Sequence, residues 1–265
     1  WSEQAKVSER AAAAGALARA FIQGELPFED RCSAEAALTF LLDDPAVKVR
    51  LALAESLAMS PLAPLQIISS LASDQPEVAA IVIARSPLLS DSDLIDRAAS
   101  GHATLQRVIA DRPHVSMSLS AALAEVGDME ACSALLSNAG AEIASLSFRR
   151  LAERFGDNAR LREALIADIR LPAECRHMLL IRLGEALRQS AFVRASIGEV
   201  HAERVTRSAC LKSSLTLVGR TPQEEYPALI EHIRLRGDLT ANLLIRVIAY
   251  GKVDFFGAAL VALTG

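Results

Sequence analysis

An internal repeat constrains this chain more than any other feature. Asp44 to Ser56, DPAVKVRLALAES, overlays Asp74 to Ser86, DQPEVAAIVIARS, at an offset of 30 without a gap. Asp44 falls on Asp74, Leu51-Ala52-Leu53 on Ile81-Val82-Ile83, and Ala54 on Ala84. A third copy follows at an offset of 26, with Ser100 at the capping position and Val108-Ile109-Ala110 at the apolar one. There Asp111-Arg112-Pro113 answers Arg85-Ser86-Pro87, and Leu151-Ala152-Glu153-Arg154 echoes Leu53-Ala54-Glu55-Ser56 more weakly. Such a period holds one pair of short helices with their connections. A chain repeating that unit buries its apolar faces by stacking successive copies.

Each copy opens with the chemistry of a helix start. Asp44 or Asp74 can accept from free amides of a first turn, and Pro45 or Pro76 sits where a missing amide costs little. Gly127-Asp128, Gly156-Asp157 and Gly237-Asp238 pair a residue suited to closing one helix with one suited to capping the next. Thr221-Pro222-Gln223-Glu224 has the form of a capping box. Around Met178, Leu179, Leu180, Ile181, Leu183, Ala186 and Leu187 the apolar residues surround most of a helix, which is expected of one sandwiched in an array. Aligned as above, Ala54 and Ala84 should occupy equivalent, tightly packed positions.

Composition agrees with helix. Apolar residues make up 51% of the 265 residues but aromatics only 4%, so Ala and Leu dominate and the enrichment typical of sheets is missing. Mean hydropathy is +0.27, yet no stretch approaches the roughly 18 apolar residues of a membrane span. Ala11 to Ala18 follows Lys6 and Arg10, but Glu3, Glu9 and a weakly hydrophobic alanine centre read as a helix rather than a signal peptide. The chain begins at Trp1 without a starting Met, as a fragment or processed chain does. Cys32, Cys132, Cys175 and Cys210 show no paired spacing, which points to a reducing compartment and a cytoplasmic location.

The segment LLDDPAVKVRLALAESLA, Leu41 to Ala58, resembles a HEAT-type repeat through Asp44-Pro45, Val49-Arg50, Ala52, Ala54 and Leu57. At the offset of 30, Arg50 meets Ala80, so the ladder of Arg–Asp contacts that the resemblance implies is interrupted. The end of the chain from Leu239 is similar to an alphaproteobacterial family of helical-repeat proteins, domain of unknown function 2336. Leu243-Leu244, Arg246, Gly251, Asp254-Phe255-Phe256 and Ala258-Ala259-Leu260 carry that likeness. It implies an intracellular bacterial protein and brings no activity. The expected fold is all-α: one α-solenoid of HEAT-like antiparallel helix pairs over residues 1–265. A bend is expected near 195–200, at Ser196-Ile197-Gly198, between an N-terminal repeat arm and a C-terminal helical arm.

Function is read first from what is missing. No nucleophile elbow, phosphate-cradling Gly-rich loop or dinucleotide fingerprint occurs, and Asp43-Asp44 is explained by a cap and an exposed turn. No catalytic residue is assigned, and a non-enzyme is expected. Metal ligands are not expected either: Cys175 and His177 are two apart on a helix, and His201 points away from the Glu199 and Glu203 pair. No cofactor is implied.

Charge is the positive signal. The net charge of -4 divides into 10 basic and 19 acidic residues over 1–148, 14 and 8 over 149–220, and 4 and 5 over 221–265. The basic segment holds Arg149, Arg150, Arg154, Arg160 and Arg162, then Arg170, Arg176, Arg182, Arg188 and Arg194. Part of it is explained as solvated helix faces, with Arg149 and Arg150 near Glu153, Arg160 near Glu163 and Arg182 near Glu185. The remainder suits a binding surface, with Arg149, Arg150, Arg154, Arg176 and Arg182 as candidate partner-binding residues for an acidic protein surface or peptide. The leading expectation is a non-catalytic protein-interaction module or scaffold. The alternative is a nucleic-acid-binding helical-repeat protein related to DNA glycosylases and using residues 149–220. Against that alternative stand an overall pI of 5.8 and the few aromatics nearby, Phe148, Phe155 and Phe192, which fit core positions equally well.

Overall fold

In the computed structural model, which describes residues 5–24 and 26–264, the repeated segments are helical. Trp1, Glu3 and Gly265 lie outside the described residues. Among those residues there are seventeen α-helices and one short 3-10 turn, and no strand beyond a single backbone bridge between Val115 and Ala141. Chain contacts divide the protein into two compact units, residues 1–143 and 144–265.

The first unit contains α1 (Val7–Gln23), α2 (Phe28–Leu42), α3 (Val47–Leu57), α4 (Leu65–Ala72), α5 (Pro76–Arg85), α6 (Asp91–Ala99), α7 (Ala103–Ala110), α8 (Met117–Val126) and α9 (Met129–Ser137). Successive helices pair, while α1, α3, α5, α7 and α9 stack in series, with α2 on α4 and α6 on α8 beside them. This is a solenoid-like arrangement of packed helices. Small residues set the closest approach: buried Ala14, Gly15 and Ala18 of α1 face α3, where Ala54 is also buried.

The packing register differs by one residue from that of the letter-by-letter alignment. The buried set Val49, Leu53 and Ala54 recurs 29 residues on as Val78, Val82 and Ile83, then 27 further as Leu105, Ile109 and Ala110. The reason is the connection, since α3 begins three residues after Asp44 and α5 only two after Asp74. Ala84 is therefore half-buried and is not the partner of fully buried Ala54.

Several expected caps also resolve differently. Pro76 does open α5, but Pro45 precedes the residue that caps α3. The Ser100 hydroxyl donates back to the Arg97 carbonyl instead of capping α7. Asp128 caps α9 as expected, whereas Asn158 and Thr240 take the roles expected of Asp157 and Asp238. The Thr221 hydroxyl donates to the Leu217 carbonyl, so the expected capping box gives way to the 3-10 turn Gln223–Glu225.

An Arg–Asp ladder is present in two rungs. Arg10 binds Asp44 through two nitrogens at 2.8 and 3.0 Å, and Arg50 binds Asp74 at 2.5 and 3.0 Å. Arg50 also donates to the Asp44 carbonyl at 2.6 Å, linking the rungs. The Arg10 hydrogen bonds hold the Asp44 carboxyl below its usual range. Shifted by the true 29 residues, Arg50 meets Ala79, and there the ladder stops. Later repeats are tied by other groups. Gln106 donates to the carbonyls of Ala98 and Val126 and accepts from the Asp128 amide. Asn138 donates to the carbonyls of Ala110 and Arg112.

The second unit contains α10 (Ser145–Phe155), α11 (Ala159–Ala167), α12 (Ala173–Gln189), α13 (Ala191–Ile197), α14 (Glu199–Arg220), α15 (Tyr226–Leu235), α16 (Ala241–Ala249) and α17 (Val253–Thr264). The long pair α12 and α14 organises it: α12 packs on α10, α11, α13, α14 and α15, and α14 on α16. The expected sandwiching of α12 holds for its first half, where Met178 and Leu179 are buried, but Leu187 near its end is exposed. Leu229, Ile230, Ile233, Leu243, Val247 and Phe255 form the adjoining core, with Tyr226 edge-on to Phe255 at 5.1 Å. Gly198, at φ +77°, separates α13 from α14 in a backbone region that favours glycine.

Candidate functional site

The arginines singled out by sequence fall into two groups. Arg149, Arg150 and Arg154 lie on α10, where Glu153 takes Arg149 at 3.1 Å and Arg150 at 3.9 Å, and the Arg154 guanidinium lies 4.6 Å over the Phe155 ring. Arg176 and Arg182 lie on α12 and reach inward. Arg182 donates to the carbonyls of Ala152 and Glu153, closing the end of α10, and has Asp157 rather than Glu185 at 3.8 Å. Arg176 donates to the carbonyls of Ile166 in the last turn of α11 and of Asp168 just after it. Carbonyls at a helix end keep lone pairs free, even where a backbone amide such as Gly156 also donates to Ala152, and a guanidinium satisfies several at once. Thus Arg182 joins Arg149 and Arg150 around Glu153, while Arg176 is directed to the turn before its own helix.

The aromatics divide as well. Phe148 is buried, Phe155 half-buried, and Phe192 is 79% exposed, so the last does not fill a core position. It belongs to a run of exposed apolar side chains from the end of α12 to the start of α14: Leu187, Phe192, Ile197, Val200 and Val205. Val200 is 84% exposed, and α13 has no buried residue. The cause is local: α13 packs chiefly on α12 and α14, and of the described residues in the first turns of α14 only Ala202 is buried.

Between α12 and α14 runs a cleft of about 680 Å³. One face of each antiparallel helix lines it: His177, Ile181, Gly184 and Arg188 on α12, and Glu203, Arg207, Cys210 and Ser214 on α14. Both series follow the spacing that keeps residues on one helix face. The helices come close at Gly184, where an added Cβ would lie 2.3 Å from the Cys210 sulfur and would force that side chain to move. Ile233 and Leu243 add apolar wall, and Arg236, which pairs with Glu185 at 3.6 Å and Asp238 at 3.1 Å, borders the cleft.

Its inner end carries a buried polar cluster. The Ser214 hydroxyl donates to the Cys210 carbonyl at 2.9 Å, so its oxygen accepts from His177 Nε2 at 3.0 Å. That network assigns the His177 proton to Nε2 and leaves Nδ1 as the acceptor. His177 is 2% exposed, and neither its Nδ1 nor His232 Nε2 has a hydrogen-bond partner among the described residues. The two rings meet edge to face at 5.4 Å. Burial pushes the His177 imidazole down to about 4, helped by neighbouring His232, and burial lowers His232 too. Burial likewise pushes the Cys175 thiol up to about 12, which keeps it a thiol at neutral pH. No group of three or more His, Cys, Asp or Glu among the described residues is placed to hold a metal ion. No helix among them is long and apolar enough to cross a membrane.

His232 and Ser214 were not singled out by sequence, because they meet His177 from 55 and 37 residues away. The pattern of His177, Ile181, Gly184 and Arg188 was a usable signal: a polar, a small and a charged residue sharing one stripe of a helix otherwise rich in leucine.

The family model described as an uncharacterised protein conserved in bacteria, DUF2336, matches residues 78–265. The chain belongs to that family. The match runs from α5 to α17 and includes the whole cleft and the exposed apolar run. No curated protein and no solved structure matches the chain.

Proposed function

We propose that this DUF2336 chain is a non-catalytic, cytoplasmic protein-interaction module that engages an acidic, partly apolar protein surface or peptide. The observation that supports this most is the run Leu187, Phe192, Ile197, Val200 and Val205, exposed on consecutive helices that pack on one another. Large apolar side chains gathered in solvent mark interaction surfaces more often than they occur by chance. The charge around them favours an acidic partner, since residues 187–207 hold Arg188, Arg194, Arg204 and Arg207 against Glu199 and Glu203. Arg149, exposed on α10, acts with its neighbours Arg150 and Arg154 in steering the partner. Arg176 and Arg182 act chiefly on the fold, through the carbonyls they bind.

The test is affinity capture from a nuclease-treated bacterial lysate, followed by purification of the captured protein and a binary binding assay. The reading expects an acidic partner whose association slows as salt rises. The double variant Phe192→Ser/Val200→Ser should lose it without a change in melting temperature, because both side chains are exposed. Equal binding by that variant overturns the reading. So does capture that nuclease treatment abolishes, which favours the nucleic-acid alternative.

A further inference from the structure

We propose that the outer face of the α16–α17 pair is a self-association surface, on which the same face of a second copy of this chain packs about a two-fold axis. The face is apolar and uncovered. Ile245 and Ile248 on α16, and Val253, Leu260, Val261 and Leu263 on α17, are each between 41% and 68% exposed. Helical spacing turns Ile245 and Ala249 away from buried Leu243 and Val247 on α16, and Val253, Gly257 and Val261 away from buried Phe255 and Ala259 on α17. Those buried residues belong to one core, so the two outer faces look out on the same side. Gly257 has nothing within 4 Å of where a Cβ would lie, and an open glycine in a helix lets a neighbouring helix come close.

The packing within the unit shows how such a face is covered. α16 packs on α14 and α17 on α15, so pair rests on pair, and an outer pair in such an array needs a polar outer face or a neighbour. This pair has no polar outer face: between residues 241 and 264 the charged side chains are Arg246, Lys252 and Asp254. A face so nearly neutral meets its own copy without like-charge repulsion and offers little to select an acidic partner or a phosphate backbone. It also lacks the basic flank by which interfacial helices hold to anionic lipid. Its area suits a dimer: at roughly 100 Å² of exposed surface apiece, the six large side chains offer on the order of 600 Å², against about 600 to 1,000 Å² per partner in stable interfaces. The surface shares no residue with the exposed run at 187–205, and neither reading depends on the other.

Sedimentation equilibrium of the intact chain over a concentration series tests the assignment. A monomer–dimer equilibrium of micromolar or tighter affinity is expected, and raising salt should not weaken it. Nothing larger should form, because a self-complementary contact closes at two copies. Ile245→Lys/Val261→Lys and Ile245→Glu/Val261→Glu should each raise the dissociation constant about tenfold or more, with far-UV circular dichroism like the parent's, because both positions are exposed. Mixed in equal amounts, the two variants should pair with each other, since lysine then meets glutamate across the axis. Phe192→Ser/Val200→Ser should dimerise as the parent does, so failure of the protein-partner reading leaves this result intact. The assignment is overturned by a parent that is monomeric at about 100 μM or grows beyond a dimer. It is overturned equally by dimers that survive both charged variants, by a mixture that stays monomeric, or by loss of the dimer in the Phe192/Val200 variant. A monomeric parent that floats with phosphatidylglycerol vesicles, when Ile245→Glu/Val261→Glu does not, gives the face to a membrane instead.

Discussion

Adding one methyl group at Gly184 tests the packing of α12 against α14. A Cβ there would stand 2.3 Å from the Cys210 sulfur, more than 1 Å inside the usual contact distance for such atoms. Forced insertion into a packed interface costs about 1 to 3 kcal/mol. Against this, Ala is favoured over Gly inside a helix by about 1 kcal/mol. Gly184→Ala should therefore lower stability by as much as about 2 kcal/mol on balance. In a Cys210→Ala background the obstructing sulfur is gone, and the same change should raise stability by up to about 1 kcal/mol. The sign reversal is the diagnostic. Urea unfolding of the four proteins, followed by circular dichroism, measures the coupling directly. If Gly184→Ala had the same effect with and without the Cys210 sulfur, the close approach of the two helices, and with it the shape of the cleft, would be wrong.

Three further outcomes follow from the geometry. Ala54→Leu should destabilise the first unit by about 1 to 3 kcal/mol, whereas Ala84→Leu at its half-buried position should cost little; equal losses in thermal melts would restore the offset of 30. Gln106→Leu should cost about 1 to 3 kcal/mol by stranding the Val126 carbonyl and the Asp128 amide, and an unchanged urea midpoint would refute those bonds. His177 binds its proton more weakly folded, at about 4, than at its ordinary 6.5, so its contribution to stability is present above pH 6.5 and is lost as pH falls from there towards 4. Over the whole window that amounts to about 3 kcal/mol, and His177→Gln should flatten the decline in urea stability between pH 7 and pH 5, above the range where carboxylates titrate. An unaltered slope would remove His177 as its cause.

Sequence legibility followed sequence distance. Helix starts such as Pro76 and Asp128 could be read because a cap involves residues a few positions apart. The repeat was visible, yet its packing register escaped by one residue, because letters align Asp44 with Asp74 while packing aligns Val49 with Val78. The ladder rung Arg10–Asp44 was hidden for a similar reason, since Arg10 lies outside the repeated segment, 34 residues before its partner. Composition could mark arginines but not their direction: Arg176 and Arg182 turn to carbonyls, which have no sequence signature. Phe192 reads like a core residue until α13 is seen to have no buried residue. The cluster of His177, Ser214 and His232 needs the fold itself, because three helices bring it together.

Hydrogen–deuterium exchange of the chain, alone and bound to its captured protein partner, tests the interaction reading most directly. Slowed exchange is predicted over residues 187–205, where the exposed apolar side chains lie, with little change in the first unit. Protection confined to α1–α9, with residues 187–205 exchanging as they do in the free chain, would contradict it.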